Sequence, residues 1–207
     1  MPKNRKDWVI IATVISVAAV VGVSSLALAF TYHQSPSTGG AYSNGPFQMG
    51  GMMGGSWNRL SAAQLDSVAV SQPVSAANST LTFTGDSVRI LVLMGPMGEG
   101  QSMYSFVIDN VTNPTLVLPE GSTVTMTVVN VDTDAYHGLT LTALSPPYSY
   151  NFMPTMMSSF ASSGVLPPSS SGFASQQISF TVTGYMYYVC PVPGHAQSGM
   201  YGLIRAE

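Results

Sequence analysis

From residue 80 onward, apolar and hydroxyl-bearing side chains alternate along the chain. Thr123-Val-Thr-Met-Thr-Val-Val-Asn130 is the clearest case. A strand points successive side chains to opposite faces, so a period of two predicts a half-buried strand. The same reading covers Thr80–Thr84, Ser87–Met94, Tyr104–Ile108, Thr115–Leu118, His137–Thr142, Gln177–Thr183, Tyr185–Cys190 and Met200–Ile204. Pro119-Glu-Gly121 supplies turn chemistry between two of them. Eight or nine short strands with turn signals between them, and no clear helix, predict an antiparallel β-sandwich over residues 76–207. The stretch from about 145 to 175 is rich in Pro, Ser and Met and breaks the pattern. It is long enough to form a lid or a docking surface.

The first 75 residues have a different texture. Lys3, Arg5 and Lys6 precede an uncharged stretch from Val9 to Phe30. As a helix rising about 1.5 Å per residue, it would reach roughly 33 Å, enough to cross a bilayer core. Trp8 and Tyr32 flank it as interfacial aromatics do. Residues 1–31 are therefore expected to be a single-pass anchor, basic end inside, with the rest of the chain outside the cell membrane. A cleaved signal peptide is the rival, with Ala27-Leu28-Ala29 as its cleavage site, but signal cores are shorter. Residues 32–75 carry much Gly, Ser and Met, notably Gln48-Met-Gly-Gly-Met-Met-Gly-Gly-Ser56. They read as a flexible tether, with a short helix over Ser61–Val70.

Composition narrows the class. Only 7% of residues are charged, and the net charge is −3, so nothing favours nucleic-acid binding. A surface so poor in carboxylates changes little as pH falls, which fits an acidic medium. A single cysteine, Cys190, rules out an internal disulfide, a Cys-x-x-Cys redox pair and a four-cysteine zinc site.

That cysteine opens the most informative segment: Cys190-Pro-Val-Pro-Gly-His195-Ala-Gln-Ser-Gly-Met200. Thiolate, imidazole and thioether at this spacing can reach one metal from one loop. The set suits copper cycling between Cu(II) and Cu(I), with the thioether as a weak axial ligand. A second imidazole is needed, and His137, at the start of a predicted strand, is the candidate. Taken singly, each residue has a duller explanation: a buried Cys is usually inert, a Met usually core. The order Cys, His, Met in a Pro/Gly loop between two strands is what raises copper above them.

On these residues the segment from about 80 to 207 resembles the cupredoxins, the blue copper fold. Within them it looks like the membrane-anchored archaeal sulfocyanin group, with rusticyanin more distant. The Cys-x4-His-x4-Met loop, the upstream histidine, the Asn130-Val-Asp turn and the N-terminal segment carry the likeness. The resemblance implies a Greek-key β-sandwich and one type 1 copper ion per chain, bound by His137, Cys190 and His195 with Met200 axial. It also implies an electron-transfer rather than enzymatic role in a respiratory chain. Partners would be redox proteins: a terminal haem-copper oxidase and an upstream cytochrome or iron-oxidising component. One departure stands out. Many relatives carry Asn or Ser directly after the first histidine, bridging to the cysteine loop, whereas this chain has Gly138. The bridge is then absent or comes from Asp132, Thr133 or a backbone amide. Met153, Pro154, Met156, Met157 and Phe160 are candidates for a dry shell that raises the potential, and His195 for the electron port.

Two other classes compete. Clustered methionines at 49–53, 94–103 and 153–157 suit a Met-rich copper carrier or scavenger, because soft sulfur selects Cu(I). A structural surface domain would bind no copper tightly. Multicopper oxidase chemistry needs more histidines than the three present.

Overall fold

The computed structural model describes residues 57–95, 102–152 and 159–207. The expected anchor and most of the methionine clusters lie outside them. Among the described residues, no helix is long and apolar enough to cross a membrane.

Thirteen strands form two sheets packed over one core. One sheet runs β1 (Asn58–Leu60), β11 (Phe173–Thr181), β8 (Thr123–Asn130), β4 (Ser87–Met94), β5 (Phe106–Ile108) and β6 (Val111–Thr112). The other runs β10 (Ser159–Leu166), β9 (His137–Thr142), β12 (Tyr185–Val189), β13 (Tyr201–Ala206), β7 (Thr115–Leu118), β3 (Thr80–Thr82) and β2 (Ser75–Ala77). The alternation in β4 and β8 sends Val88, Ile90, Val92, Met94, Val124, Met126 and Val128 inward. There they join Leu81, Leu116, Leu139, Leu141, Met186, Tyr188 and Ile204 from the facing sheet. The sandwich is mixed rather than purely antiparallel: β4 runs parallel to β8, and β7 runs parallel to both β3 and β13. The chain crosses between sheets from β4 to β8, so these parallel partners are not joined by a hairpin, and alternation alone cannot register that.

Two short hairpins show local sequence at work. Asn78-Ser79 and Asp109-Asn110 hold positive φ at both central positions (50° and 57°, 46° and 61°). That is the turn whose twist suits a two-residue hairpin, and Asn and Asp tolerate it best.

Residues 57–75, expected in the tether, lie along the sandwich. β1 pairs with β11, and Arg59 donates to the Ser171 carbonyl and hydroxyl, both at 2.9 Å. The expected helix is one short element, α1 (Ala62–Asp66), closed by a Ser61/Gln64 capping box. The Pro/Ser/Met stretch also holds a strand, β10, whose pairing with β9 is interrupted by two register shifts.

The copper-ligand candidates all lie where β9, β12 and β13 begin or end. A second small cluster of Tyr148, Val189 and Ala196, with Phe152 and Tyr201 against it, covers that end.

Candidate metal centre

The two histidines and the cysteine converge: one donor atom from each of His137, Cys190 and His195 lies within 4.8 Å of the others. Met200 is fully buried in the same core cluster as Cys190. Two different devices bring these residues together.

The first holds His137. Asn130, fully buried at the end of β8, places its Nδ2 2.9–3.1 Å from the carbonyls of Ala135, Leu166 and Pro167. Its Oδ1 accepts the Asp132 N–H at 3.1 Å. Ser169 adds two bonds, its hydroxyl to the Asn130 carbonyl and its N–H to the Asp132 carbonyl, both 2.7 Å. Asp132 Oδ1 then accepts the N–H groups of Asp134 (2.8 Å) and Ala135 (3.0 Å). Its Oδ2 lies 3.1 Å from His137 Nε2. With Nε2 engaged, His137 Nδ1 is left buried and without a partner. A buried ring nitrogen in that state is costly unless something fills the gap. Burial holds the His137 pKa below its ordinary value despite Asp132, which favours the neutral ring that a metal ligand needs.

The second device is the loop from Cys190 to Met200, which is fastened mainly to itself. From outside, Asn113 Nδ2 donates to the Gly199 carbonyl (3.0 Å), and the Gly194 N–H donates to the Tyr150 carbonyl (2.8 Å). The Cys190 N–H donates to the Met200 carbonyl (3.1 Å), and the Met200 N–H donates to the His195 carbonyl (3.0 Å). The His195 N–H donates to the Val192 carbonyl (3.1 Å). Pro191 and Pro193 fix φ within it. The Cys190 sulfur lies 3.5 Å from His195 Nδ1. Burial pushes the thiol pKa up to about 11, opposed by the N–H groups of Val192 and Gly138 pointing at the sulfur. The missing side-chain bridge at Gly138 is therefore replaced by that residue's own backbone amide. Asp132, a sequence candidate for the bridge, bonds His137 instead. A Cβ at Gly138 would overlap the Gly164 carbonyl oxygen, so β10 occupies the space that a bridging side chain needs.

His195 is the ligand candidate closest to solvent, at 9% exposure. Its ring packs on Tyr104 (centroids 4.6 Å apart) and on His137 (4.9 Å). Burial, then the neighbouring His137, pull its pKa down to about 4, only partly offset by Asp132.

The expected dry shell differs in membership. Phe160 is 55% exposed and cannot line the site; Met153, Pro154, Met156 and Met157 lie outside the described residues. Met94, Phe106, Leu139 and Leu166 belong instead to the buried cluster that holds Cys190 and Met200. The Asn130-Val-Asp turn is part of the resemblance and Asp132 a candidate bridge to the cysteine loop, but neither residue is expected from the sequence to hold His137 in place, and Ser169 carries no signal beyond the Pro/Ser stretch around it.

The donor set fits copper. It offers one thiol, two neutral imidazoles and a thioether in a dry pocket, with one nitrogen unsatisfied. No family model matches the chain. Curated relatives do. Rusticyanin from Acidithiobacillus ferrooxidans is 31% identical over 156 residues, covering 74% of this chain and 98% of that protein. Rusticyanin from Acidithiobacillus ferridurans is 30% identical over 158 residues, covering 75% and 82%. Among solved structures, rusticyanin from Thiobacillus ferrooxidans superposes with a TM-score of 0.66 at 29% identity, covering 73% of this chain and 97% of that one. A second rusticyanin structure, described as that of a copper protein, gives 0.66 at 28% identity, covering 73% and 98%.

Proposed function

The chain belongs to the rusticyanin family of cupredoxins, which are electron-transfer proteins rather than enzymes, and from that premise we propose that it carries electrons on one type 1 copper ion. His137, Cys190, His195 and Met200 would hold the ion. The observation that carries this reading is the convergence of His137, Cys190 and His195, with His137 Nδ1 buried and without a partner. Copper bound there supplies one-electron Cu(II)/Cu(I) chemistry.

The protein's own contribution is to keep its ligands still. Electron transfer slows when ligands must move, and here both ligand-bearing segments are fastened before any metal arrives. The high thiol pKa means that the metal must displace a proton from Cys190, so binding releases about one proton near neutral pH. His195, at the rim beside Tyr104, offers the shortest contact to a docked redox partner.

Within the cupredoxins, the proposed place of this chain is beside the sulfocyanin group. It would be held by residues 1–31 on the outer face of a cell membrane. It would pass electrons in a respiratory chain between an upstream cytochrome or iron-oxidising component and a terminal haem-copper oxidase. The basic-then-apolar N-terminus and the low charge content support this.

The test is a copper titration of the full chain followed by visible absorption and electron paramagnetic resonance. An intense thiolate-to-Cu(II) band saturating at one copper, and abolished in Cys190→Ser, is expected. A colourless protein that takes up several copper ions would replace this reading with the Met-rich carrier.

A further inference from the structure

Asp132 is 2% exposed and sits one imidazole away from the centre. Its surroundings are all donors. The N–H groups of Asp134 and Ala135 can only donate, and they converge on Oδ1. His137 Nε2 donates to Oδ2 in the tautomer that leaves the unpartnered Nδ1 open to a metal. Only a group that accepts at both ends satisfies this arrangement, and an ionised carboxylate is one. An amide of the same shape would turn its NH2 toward a donor on one side or the other.

The charge is not balanced by a cationic side chain. Among the described residues, the ion pairs are Asp132 with His137 and Arg205 with Glu207. Nor can a side chain enter beside it. Gly95, at φ +66°, lies so close that a Cβ there would sit 2.6 Å from His137 Nε2 and 2.9 Å from Asp132 Oδ2. A charge shielded from water acts at greater strength than one at the surface.

We propose that Asp132 is a positioning residue that sets the redox poise of the centre. It pins the His137 tautomer with Nδ1 toward the metal, and its fixed negative charge, relayed through the ring, stabilises the oxidised metal against the reduced one. Carboxylate partners raise the basicity of a ligating imidazole, and a more basic ligand favours the more highly charged ion. Asp132 therefore opposes the apolar shell, which favours Cu(I). This inference rests on the copper-carrier reading above.

The test uses the full-length, copper-loaded protein. Asp132→Asn removes the charge at nearly constant volume. Against a fixed redox mediator, the expected change is at least a tenfold shift of the equilibrium toward Cu(I), about 59 mV for a one-electron couple. Measured separately, Cu(II) affinity should fall at least tenfold more than Cu(I) affinity. Asp132→Glu, which keeps the charge, should lie nearer the wild-type potential than Asp132→Asn. Equal losses of both affinities, with the potential unmoved, would mean that Asp132 only braces the loop, and the proposal fails. If Asp132→Asn does not fold, the wild-type Cu(I) form decides by nitrogen-15 NMR. A slowly exchanging His137 Nε2–H with metal at Nδ1 supports the proposal, and metal at Nε2 overturns it. A wild-type protein without a blue copper band removes the copper reading itself, before any variant is made.

Discussion

The two segments that present the ligands are built on opposite principles. His137 is held by side chains from elsewhere: Asn130 ties the 131–136 turn to residues 166 and 167, and Ser169 and Asp132 complete the clamp. The Cys190–Met200 loop is held mainly by its own backbone and by two prolines, with one outside side chain, Asn113, on the Gly199 carbonyl and one outside carbonyl, that of Tyr150, on the Gly194 N–H. A clamp of long-range side chains is costly to break but permits a charged group beside the ligand. A loop fastened mainly to itself needs fewer such partners, so each of its residues has less to lose. The lesson is that one histidine is tuned from behind, through Asp132, while the other stays free at the rim to meet a partner.

The sharpest way to break this contrast is Asn130→Ala. It strands three carbonyls, that of Leu166 buried and those of Ala135 and Pro167 part-buried, and one N–H that the amide now serves. The expected cost is about 3 kcal/mol in denaturant unfolding of the copper-free protein, together with weaker copper binding. A loss under about 1 kcal/mol would show that the clamp holds without its centre. Gly138→Ala comes next, because the new methyl meets the Gly164 carbonyl. Displacing β10, an edge strand, should cost about 1–3 kcal/mol, read as a lower unfolding midpoint. If instead stability is unchanged, β10 yields freely and glycine is not required there.

A pH series tests the burial of the two site histidines, whose pKa values are both lowered. The His195 pKa falls from 6.5 in the unfolded chain to about 4 in the fold, so the unfolded state binds more protons between those values. The stabilisation is present above pH 6.5 and is lost as pH falls toward about 4. The copper-free protein should therefore lose several degrees of Tm across that window, and copper, which excludes the proton, should flatten the slope. A copper-free Tm that is constant from pH 7 to 4 would contradict this burial effect. The smallest effect belongs to the self-fastened loop. Pro193→Ala should cost about 0.4–1 kcal/mol, chiefly through the freedom it gives the unfolded chain, with the visible spectrum kept. A lost blue band there would mean that the loop depends on that proline after all.

What could be read in advance follows the same division. The Cys190–Met200 loop declares itself because its function depends on residue types at fixed local spacing, and its hydrogen bonds close over eleven positions. β4 and β8 declare themselves through alternation on a half-buried face. By contrast, β10 carries Ser-Phe-Ala-Ser-Ser-Gly-Val-Leu, and its two register shifts destroy any period of two. β1 is fixed by partners more than a hundred residues away, which no local pattern encodes. Phe160 looked like shell material because hydrophobicity says nothing about which way an irregular strand turns. Asp132 was visible as a polar residue near the site, but its true partner depends on Gly95 and Asn130 closing around it in three dimensions.

The bond from the Cys190 N–H to the Met200 carbonyl has a practical consequence. It makes the intervening loop a cassette whose two ends are already joined, directly above the Val189–Tyr201 rung of the β12–β13 ladder. A loop of different length could be grafted onto that rung without disturbing the sheet below. The axial ligand, the rim and the partner surface would change together, while the His137 clamp and its buried carboxylate stayed as they are. The protein is in this sense a fixed half-site with an exchangeable face.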